Sequence, residues 1–110
     1  MENLQRIQKN LLNGTYQNNP VSCADDRAIL SGEFAWICSQ LEIILQRKPA
    51  IWNEIRKNVK SDTACERAYE MTSDGLDEMG LRLRIKSCEK MMQGLSGLIK
   101  VAEGESKNIF

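Results

Sequence analysis

The cysteine thiols are the first candidates for metal binding or nucleophilic catalysis, because this 110-residue chain contains no histidine. The four cysteines are spread along the chain rather than placed in pairs: Cys23, Cys38, Cys65 and Cys88. A zinc site usually needs a closely spaced Cys pair with further Cys or His ligands, and a nucleophilic Ser or Cys usually needs a neighbouring base such as His. We therefore expect no zinc site and no His-assisted catalysis. We interpret the cysteines as small core residues rather than as disulfide partners.

Three carboxylates at helical spacing, Asp62, Glu66 and Glu70, are the best candidates for a metal-dependent hydrolase. The helical nucleotide pyrophosphatases combine Glu-x-x-Glu with a later Glu-x-x-Asp to hold magnesium. Here only a lone Asp-x-x-Asp follows, at Asp74 and Asp77, and no Glu-x-x-Glu precedes it. No glycine-rich phosphate loop follows a strand pattern either. We therefore predict a protein that is not an enzyme and needs no cofactor, with a small metal-dependent hydrolase as the weakest of three hypotheses.

An acidic row recurs every four residues in the second half of the chain. It consists of Asp62, Glu66, Glu70, Asp74 and Glu78, and basic residues continue it at the same spacing. Side chains four residues apart are neighbours on a helix, and acidic residues early with basic residues late suit the helix dipole. The plain interpretation is a solvated helix surface. The functional interpretation is an acidic surface that binds a basic partner protein.

A second row, Lys48, Trp52, Arg56 and Lys60, places three cations around an aromatic ring at the same spacing. Such a row can contact phosphates and stack on a base, which makes nucleic-acid binding the alternative function. Against it, Trp52 directly follows Ile51, which favours a place in the core. The formal net charge of the chain is also zero, so the molecule as a whole does not attract nucleic acid.

Apolar residues at alternating steps of three and four predict the helices that must position these rows. The predicted spans are 2–12, 25–47 and 49–59, then a segment from Asp62 to Glu103 that is bent or interrupted near Gly75, its second piece spanning about 74–103. Pro49 is expected to end the long second helix, because the residue before a proline avoids the helical conformation. Gly104 is expected to end the last one.

No useful period-two alternation of apolar residues occurs, so the fold class we predict is all-α. The expected architecture is a bundle of four or five helices with two long antiparallel helices as its centre. Residues 1–20 form an N-terminal helix and loop that can act as a docking arm, residues 21–104 form the bundle, and residues 105–110 form a frayed tail.

The expected cellular compartment is inferred from the lack of a signal peptide and of a membrane-spanning segment. The first residues are polar and contain no apolar signal-peptide core. No continuous apolar run approaches the length of about 20 residues that spans a bilayer. We therefore expect a cytoplasmic protein with no membrane contact. A protein partner is the first expectation, a second copy of the chain is a further candidate, and nucleic acid is the second choice.

One stretch resembles a known pattern. Trp52-x-x-x-Arg56, Ser61-Asp62, Glu66-Arg67-x-Tyr69 and Thr72-x-x-Gly75-x-x-Glu78 are similar to small uncharacterised helical proteins of tailed bacteriophages, over about residues 33–103. The resemblance implies a phage or prophage accessory protein that acts inside a bacterium on host or phage machinery, such as replication, recombination or antiviral defence. It brings no catalytic residues with it. The function we predict is therefore a non-enzymatic protein-binding accessory or inhibitor.

Overall fold

The chain folds into four α-helices in the computed structural model, which describes residues 2–108, with side chains through residue 104. The helices are α1 (Glu2–Leu12), α2 (Pro20–Arg56), α3 (Asp62–Glu70) and α4 (Ser73–Asn108). No strand occurs between residues 2 and 108. The predicted all-α class, with two long antiparallel helices at the centre of a bundle, is confirmed.

The helices are distributed over two compact units, and α2 and α4 contribute a part to each. The terminal unit comprises Met1–Ala35 and Lys86–Phe110, and therefore contains α1, the first part of α2 and the last part of α4. The central unit comprises Trp36–Ile85, and therefore contains the last part of α2, all of α3 and the first part of α4.

In the terminal unit, α2 and α4 pack side by side in opposite directions. The Cys23 thiol donates to the Leu95 carbonyl oxygen at 3.4 Å, and Arg27 Nε donates to Ser96 Oγ at 2.8 Å. The most completely buried side chains of this unit are Ile7, Cys23, Leu30, Cys88 and Leu95. Three of the four cysteines of the chain, including Cys65 in the central unit, are thus buried, as expected for small core residues.

Helix α1 is held on α2 by a buried carboxylate. Asp26 is only 7% exposed, and it accepts hydrogen bonds from Arg6 Nη1 and Nη2 at 2.8 and 2.9 Å and from the Tyr16 hydroxyl at 2.5 Å. The hydrogen bonds from Arg6 outweigh burial, so the pKa of Asp26 lies below its ordinary value. Burial raises the pKa of Tyr16, and its hydrogen bond to Asp26 raises it further. The N-terminal arm of the prediction therefore docks on the second helix of its own chain.

In the central unit, α2 and α4 are again antiparallel, and α3 packs against both. Arg47 near the end of α2 pairs with Asp74 at the start of α4, with Nε to Oδ2 at 3.1 Å and Nη2 to Oδ1 at 3.2 Å. The buried apolar side chains of this unit are Ile37, Leu41, Ile44, Cys65, Tyr69 and Leu81.

The prediction that Pro49 separates two helices is wrong, because α2 runs without a break from Pro20 to Arg56 with Pro49 inside it. A proline within a helix removes one hydrogen bond and costs about 3 kcal/mol. Packing outweighs that cost here, since most helix stability in proteins comes from burial of one face. The residues after Pro49 supply such a face. The Trp52 ring packs at a tilt against Tyr69 of α3, and the Trp52 carbonyl oxygen accepts a hydrogen bond from the Cys65 thiol at 3.7 Å.

The interruption expected near Gly75 is confirmed, and it lies between α3 and α4 at Met71 and Thr72. The Thr72 hydroxyl donates to the Tyr69 carbonyl oxygen at 2.6 Å and accepts from the Gly75 N–H at 3.0 Å, so one side chain ends α3 and begins α4. At the other end of α3, Ser61 is the N-cap, and its Oγ accepts from the Ala64 N–H at 3.1 Å.

Two helix ends differ from the prediction. Helix α2 begins at Pro20 rather than at Asp25, the first residue of the predicted span. Proline suits the first turn because it has no N–H to leave unpaired. Helix α4 continues through Gly104 to Asn108. The last two residues of the predicted frayed tail, 109 and 110, lie outside the described residues.

Candidate functional site

Three of the predicted site residues, Lys48, Trp52 and Glu78, meet around Tyr69, which is only 2% exposed. Its ring centroid lies 6.4 Å from that of Trp52, and Lys48 Nζ lies 4.7 Å from the centre of the Tyr69 ring. The Tyr69 hydroxyl donates to Glu78 Oε1 at 3.0 Å, and Arg82 Nε donates to Glu78 Oε2 at 3.3 Å. These five residues, here called the Tyr69 cluster, fasten α3 to α2 and α4.

Electrostatics within the Tyr69 cluster favour a charged Glu78 and a neutral Tyr69. Burial alone would raise the pKa of Glu78, but hydrogen bonds from Tyr69, Lys48 and Arg82 hold it below its ordinary value. Burial, together with the hydrogen bond to Glu78, raises the pKa of Tyr69 to about 12. Neither group is therefore poised to exchange a proton near neutral pH, which suits a structural role better than acid–base catalysis.

Acid should weaken the Tyr69 cluster, and Glu78→Gln tests this. Because the folded-state pKa of Glu78 is lowered, its stabilising effect is fully present above the unfolded value and is lost as the pH falls through the folded value. At neutral pH we expect Glu78→Gln to lower the free energy of unfolding by about 1–2 kcal/mol. The difference from the wild type should shrink as the pH falls below the ordinary pKa of a glutamate and through the lowered pKa of Glu78, as measured by urea denaturation.

Glu54→Gln is the matched control, because Glu54 forms an exposed ion pair with Lys57, with both side chains more than two-thirds exposed. Exposed pairs contribute little, so this variant should follow the wild-type pH profile. A Glu78→Gln deficit that stays constant down to pH 2 would show that the carboxylate charge plays no part.

The predicted acidic and basic rows are paired with each other in the central unit. Lys48 Nζ lies 3.3 Å from Glu78 Oε1, and Arg56 Nη1 lies 2.6 Å from Asp62 Oδ1. Asp74 is likewise paired with Arg47, as described above. Most charges that the sequence offered to an outside partner are thus satisfied within the chain.

The remaining members of the two rows are dispersed. Glu66 and Glu70 are exposed on α3, and Lys60 is exposed between α2 and α3. Because α2 ends at Arg56, Lys60 does not continue the helical row that the sequence predicted. Trp52 is half-buried beside Tyr69, as expected for a core anchor rather than a base-stacking platform.

The candidate metal ligands do not converge. Within the described residues, no group of three or more His, Cys, Asp or Glu side chains is placed to hold a metal ion. Glu66 and Glu70 are exposed, and Asp62 is paired with Arg56.

The most unusual surface of the central unit is apolar. Its exposed members, with their exposed fractions, are Trp36 (53%), Ile43 (46%), Leu76 (53%), Met79 (50%) and Leu83 (61%). Steps of three, four and seven residues place such side chains on one side of their helices. Three of the five, Trp36, Ile43 and Leu76, line one groove between α2 and α4. These five residues are called the apolar face below.

Helix α3 leaves the apolar face uncovered, because it packs on the other side of α2 and α4. Trp52 and Glu78, which contact Tyr69 of α3, lie about half a turn around their helices from Ile43 and Leu76. Polar residues also line the groove: Gln40, Arg47, Asp77 and Arg84. Sequence reasoning concentrated on charged rows and missed this surface. The sequence feature that could have revealed the apolar face is the seven-residue spacing of Trp36 with Ile43 and of Leu76 with Leu83.

Helix α2 is itself unusually apolar. By length and composition it could cross a membrane, since it contains an 18-residue window with mean hydropathy 1.4, of which 17% is buried. The core helix of a water-soluble protein meets the same two criteria, so the finding describes the helix without assigning a location.

Most of the residues that carry the phage-protein resemblance contact one another in the central unit. Trp52 and Glu78 contact Tyr69, Arg56 pairs with Asp62, and Thr72 bonds Gly75. They hold α3 in place, so the pattern records how a helix is packed rather than a reactive site. Comparison of the chain with protein-family models, with curated proteins and with solved structures found no match in any of the three.

Proposed function

We propose that this chain is a non-enzymatic protein-binding accessory or inhibitor, and that the apolar face is where it binds. The observation that carries the proposal is the exposure of five large apolar side chains on one side of the central unit. Contiguous apolar patches on small proteins are usually interaction sites, because leaving them in water is unfavourable. Aromatic, Met and Leu side chains beside a few charges also match the composition of protein interfaces.

Pairing within the chain favours a protein over a nucleic acid as the partner. Nucleic-acid affinity depends on cations that are free to replace the counterions of phosphates. In the basic row, Lys48 and Arg56 are bound to carboxylates, and Trp52 is packed on Tyr69. A contact made by Lys60 alone would be weak.

The biological setting follows from the resemblance. We propose a phage or prophage protein that acts in the bacterial cytoplasm on host or phage machinery, such as replication, recombination or antiviral defence. The pattern from Trp52 to Glu78 supports this setting, and the apolar face supplies the means of binding.

Leu83→Glu tests the proposed binding surface. Leu83 is the most exposed of the five, so the substitution should leave the helical circular-dichroism spectrum unchanged while it places a charge in the contact. We expect tagged wild-type protein to retain a specific protein from the native bacterial cell, and Leu83→Glu to retain at least about tenfold less, as expected for a central contact residue. Quantitative mass spectrometry of the captured proteins gives the measurement.

Leu12→Glu is the matched control, because Leu12 is an 80% exposed leucine at the end of α1 in the terminal unit and does not belong to the apolar face. It should capture as much partner as the wild type. Recovery of nucleic acid alone, or equal losses for both variants, would count against a binding role for the apolar face.

A further inference from the structure

The apolar face is laid out with a symmetry that a second copy of the chain can match. Trp36 and Ile43 are seven residues apart on α2, and Leu76 and Leu83 are seven residues apart on α4. Seven residues span about 10.5 Å along a helix. Because the two helices are antiparallel in this unit, with the register set by the ion pair between Arg47 and Asp74, Trp36 lies level with Leu83 and Ile43 lies level with Leu76.

Gln40 and Gly80 lie near the midpoint of this arrangement, and both line the groove. A Cβ added at Gly80 would meet nothing within 4 Å, so the surface there is open and free of side chain. The backbone of a neighbouring helix can therefore approach α4 closely at this point. A two-fold axis through it would bring each apolar pair against the apolar pairs of another copy.

The charges of the groove follow the same symmetry. Asp77 and Arg84 are exposed, seven residues apart on α4 and on either side of Gly80, and no ion pair to either is recorded among the described residues. Rotation about an axis near Gly80 exchanges the two positions. Asp77 of each copy then faces Arg84 of the other, which gives two ion pairs of opposite charge.

We infer that the apolar face binds a second copy of this chain, with the two α4 helices antiparallel and crossing near Gly80. Such an interface is self-complementary, as two-fold dimers require. The inference rests on the proposed function, because it takes the apolar face to be a protein-binding surface and names a second copy as its occupant when no other partner is bound. The result is a four-helix arrangement in which each copy contributes the last part of α2 and the first part of α4.

A contact between two apolar patches of ordinary size would give a dimer of moderate affinity. A single protein seldom exposes an apolar patch larger than roughly 300–600 Å². Doubling such a patch gives roughly 600–1,200 Å², which reaches the lower end of specific protein interfaces. A lipid surface is the less favoured occupant, because Arg47 is paired with Asp74 and Asp77 offsets Arg84, so the groove has no excess of free cations to attract anionic headgroups.

Charge exchange at Asp77 and Arg84 tests the inference in the full-length chain. By sedimentation equilibrium, the wild type should be dimeric at tens of micromolar. Asp77→Arg places two cations together in the dimer, and Arg84→Asp places two carboxylates together. We expect each variant alone to raise the dissociation constant at least about tenfold, because like charges across an interface oppose association.

An equimolar mixture of the two variants should restore the dimer, since an Asp77→Arg copy meets an Arg84→Asp copy with opposite charges at both contacts. This rescue cannot come from misfolded protein. Arg67→Asp on α3, an exposed position away from the groove, is the control and should dimerise like the wild type.

Three sedimentation results would overturn the inference: a wild type that stays monomeric up to about 1 mM, single variants as dimeric as the wild type, or a mixture that stays monomeric. Binding of monomeric protein to vesicles of phosphatidylcholine and phosphatidylglycerol would overturn it in favour of a lipid surface. None of these results determines the outcome of the capture experiment with Leu83→Glu, so the proposed function is tested separately from the dimer.

Discussion

Gly75→Ala is expected to destabilise the protein by at least about 3 kcal/mol, the upper range for overpacking a closed site. A Cβ at this position would press into the Tyr69 carbonyl oxygen and lie 2.8 Å from the Cα of Glu70. Both obstacles are backbone atoms, which no rotamer change can move aside. Relief would need α3 and α4 to separate at their junction, where Thr72 holds both helix ends. The free energy of unfolding from urea denaturation, followed by circular dichroism, gives the measurement.

Gly32→Ala provides the matched control within α2. A Cβ there meets nothing within 4 Å, so alanine should stabilise the helix by up to about 1 kcal/mol through its higher propensity. The two identical substitutions should therefore change stability in opposite directions. A Gly75→Ala protein within about 1 kcal/mol of the wild type would contradict the close approach of α3 and α4.

Asp26→Ala is expected to lower the free energy of unfolding by about 3 kcal/mol, because it removes the acceptor on which α1 depends. The Tyr16 hydroxyl is buried, and it would lose its charged partner with little access to water. Arg6 would lose both of its hydrogen bonds to α2. Urea denaturation measures the loss, and hydrogen exchange of the α1 amides should locate it in the terminal unit.

Asp25→Ala controls for the loss of a carboxylate at the same end of α2, since Asp25 is exposed. Its effect should stay within about 0.5 kcal/mol, as for most surface substitutions. In addition, Tyr16→Phe should cost less in the Asp26→Ala background than in the wild type, because the two side chains share one hydrogen bond. Equal costs in both backgrounds would show that the bond contributes nothing.

Local patterns in the sequence were enough to predict the helices. Helical periodicity depends only on neighbours along the chain, so the short α1 and the break near Gly75 could be read from it. The rule that proline ends a helix is also local, and it failed at Pro49. The decisive interaction there is with Tyr69, which lies twenty residues further along the chain.

The candidate site was less predictable, because pairing between charges is a matter of tertiary structure. Spacing by four residues identified the rows that contain Lys48 and Glu78, but it could not show that these two side chains would meet. The spacing of apolar residues likewise could not show which side of a helix is exposed and which is buried. Trp36 and Ile37 are adjacent in sequence, yet the first is 53% exposed and the second is fully buried.

The two tryptophans of the chain give it separate optical reporters. Trp36 is exposed on the apolar face, whereas Trp52 is half-buried beside Tyr69. Emission from the first depends on whether solvent or another molecule covers the groove, and emission from the second depends on whether α3 is docked. Fluorescence of single-tryptophan variants can therefore follow occupancy of the surface and integrity of the fold as two independent signals, without any attached dye.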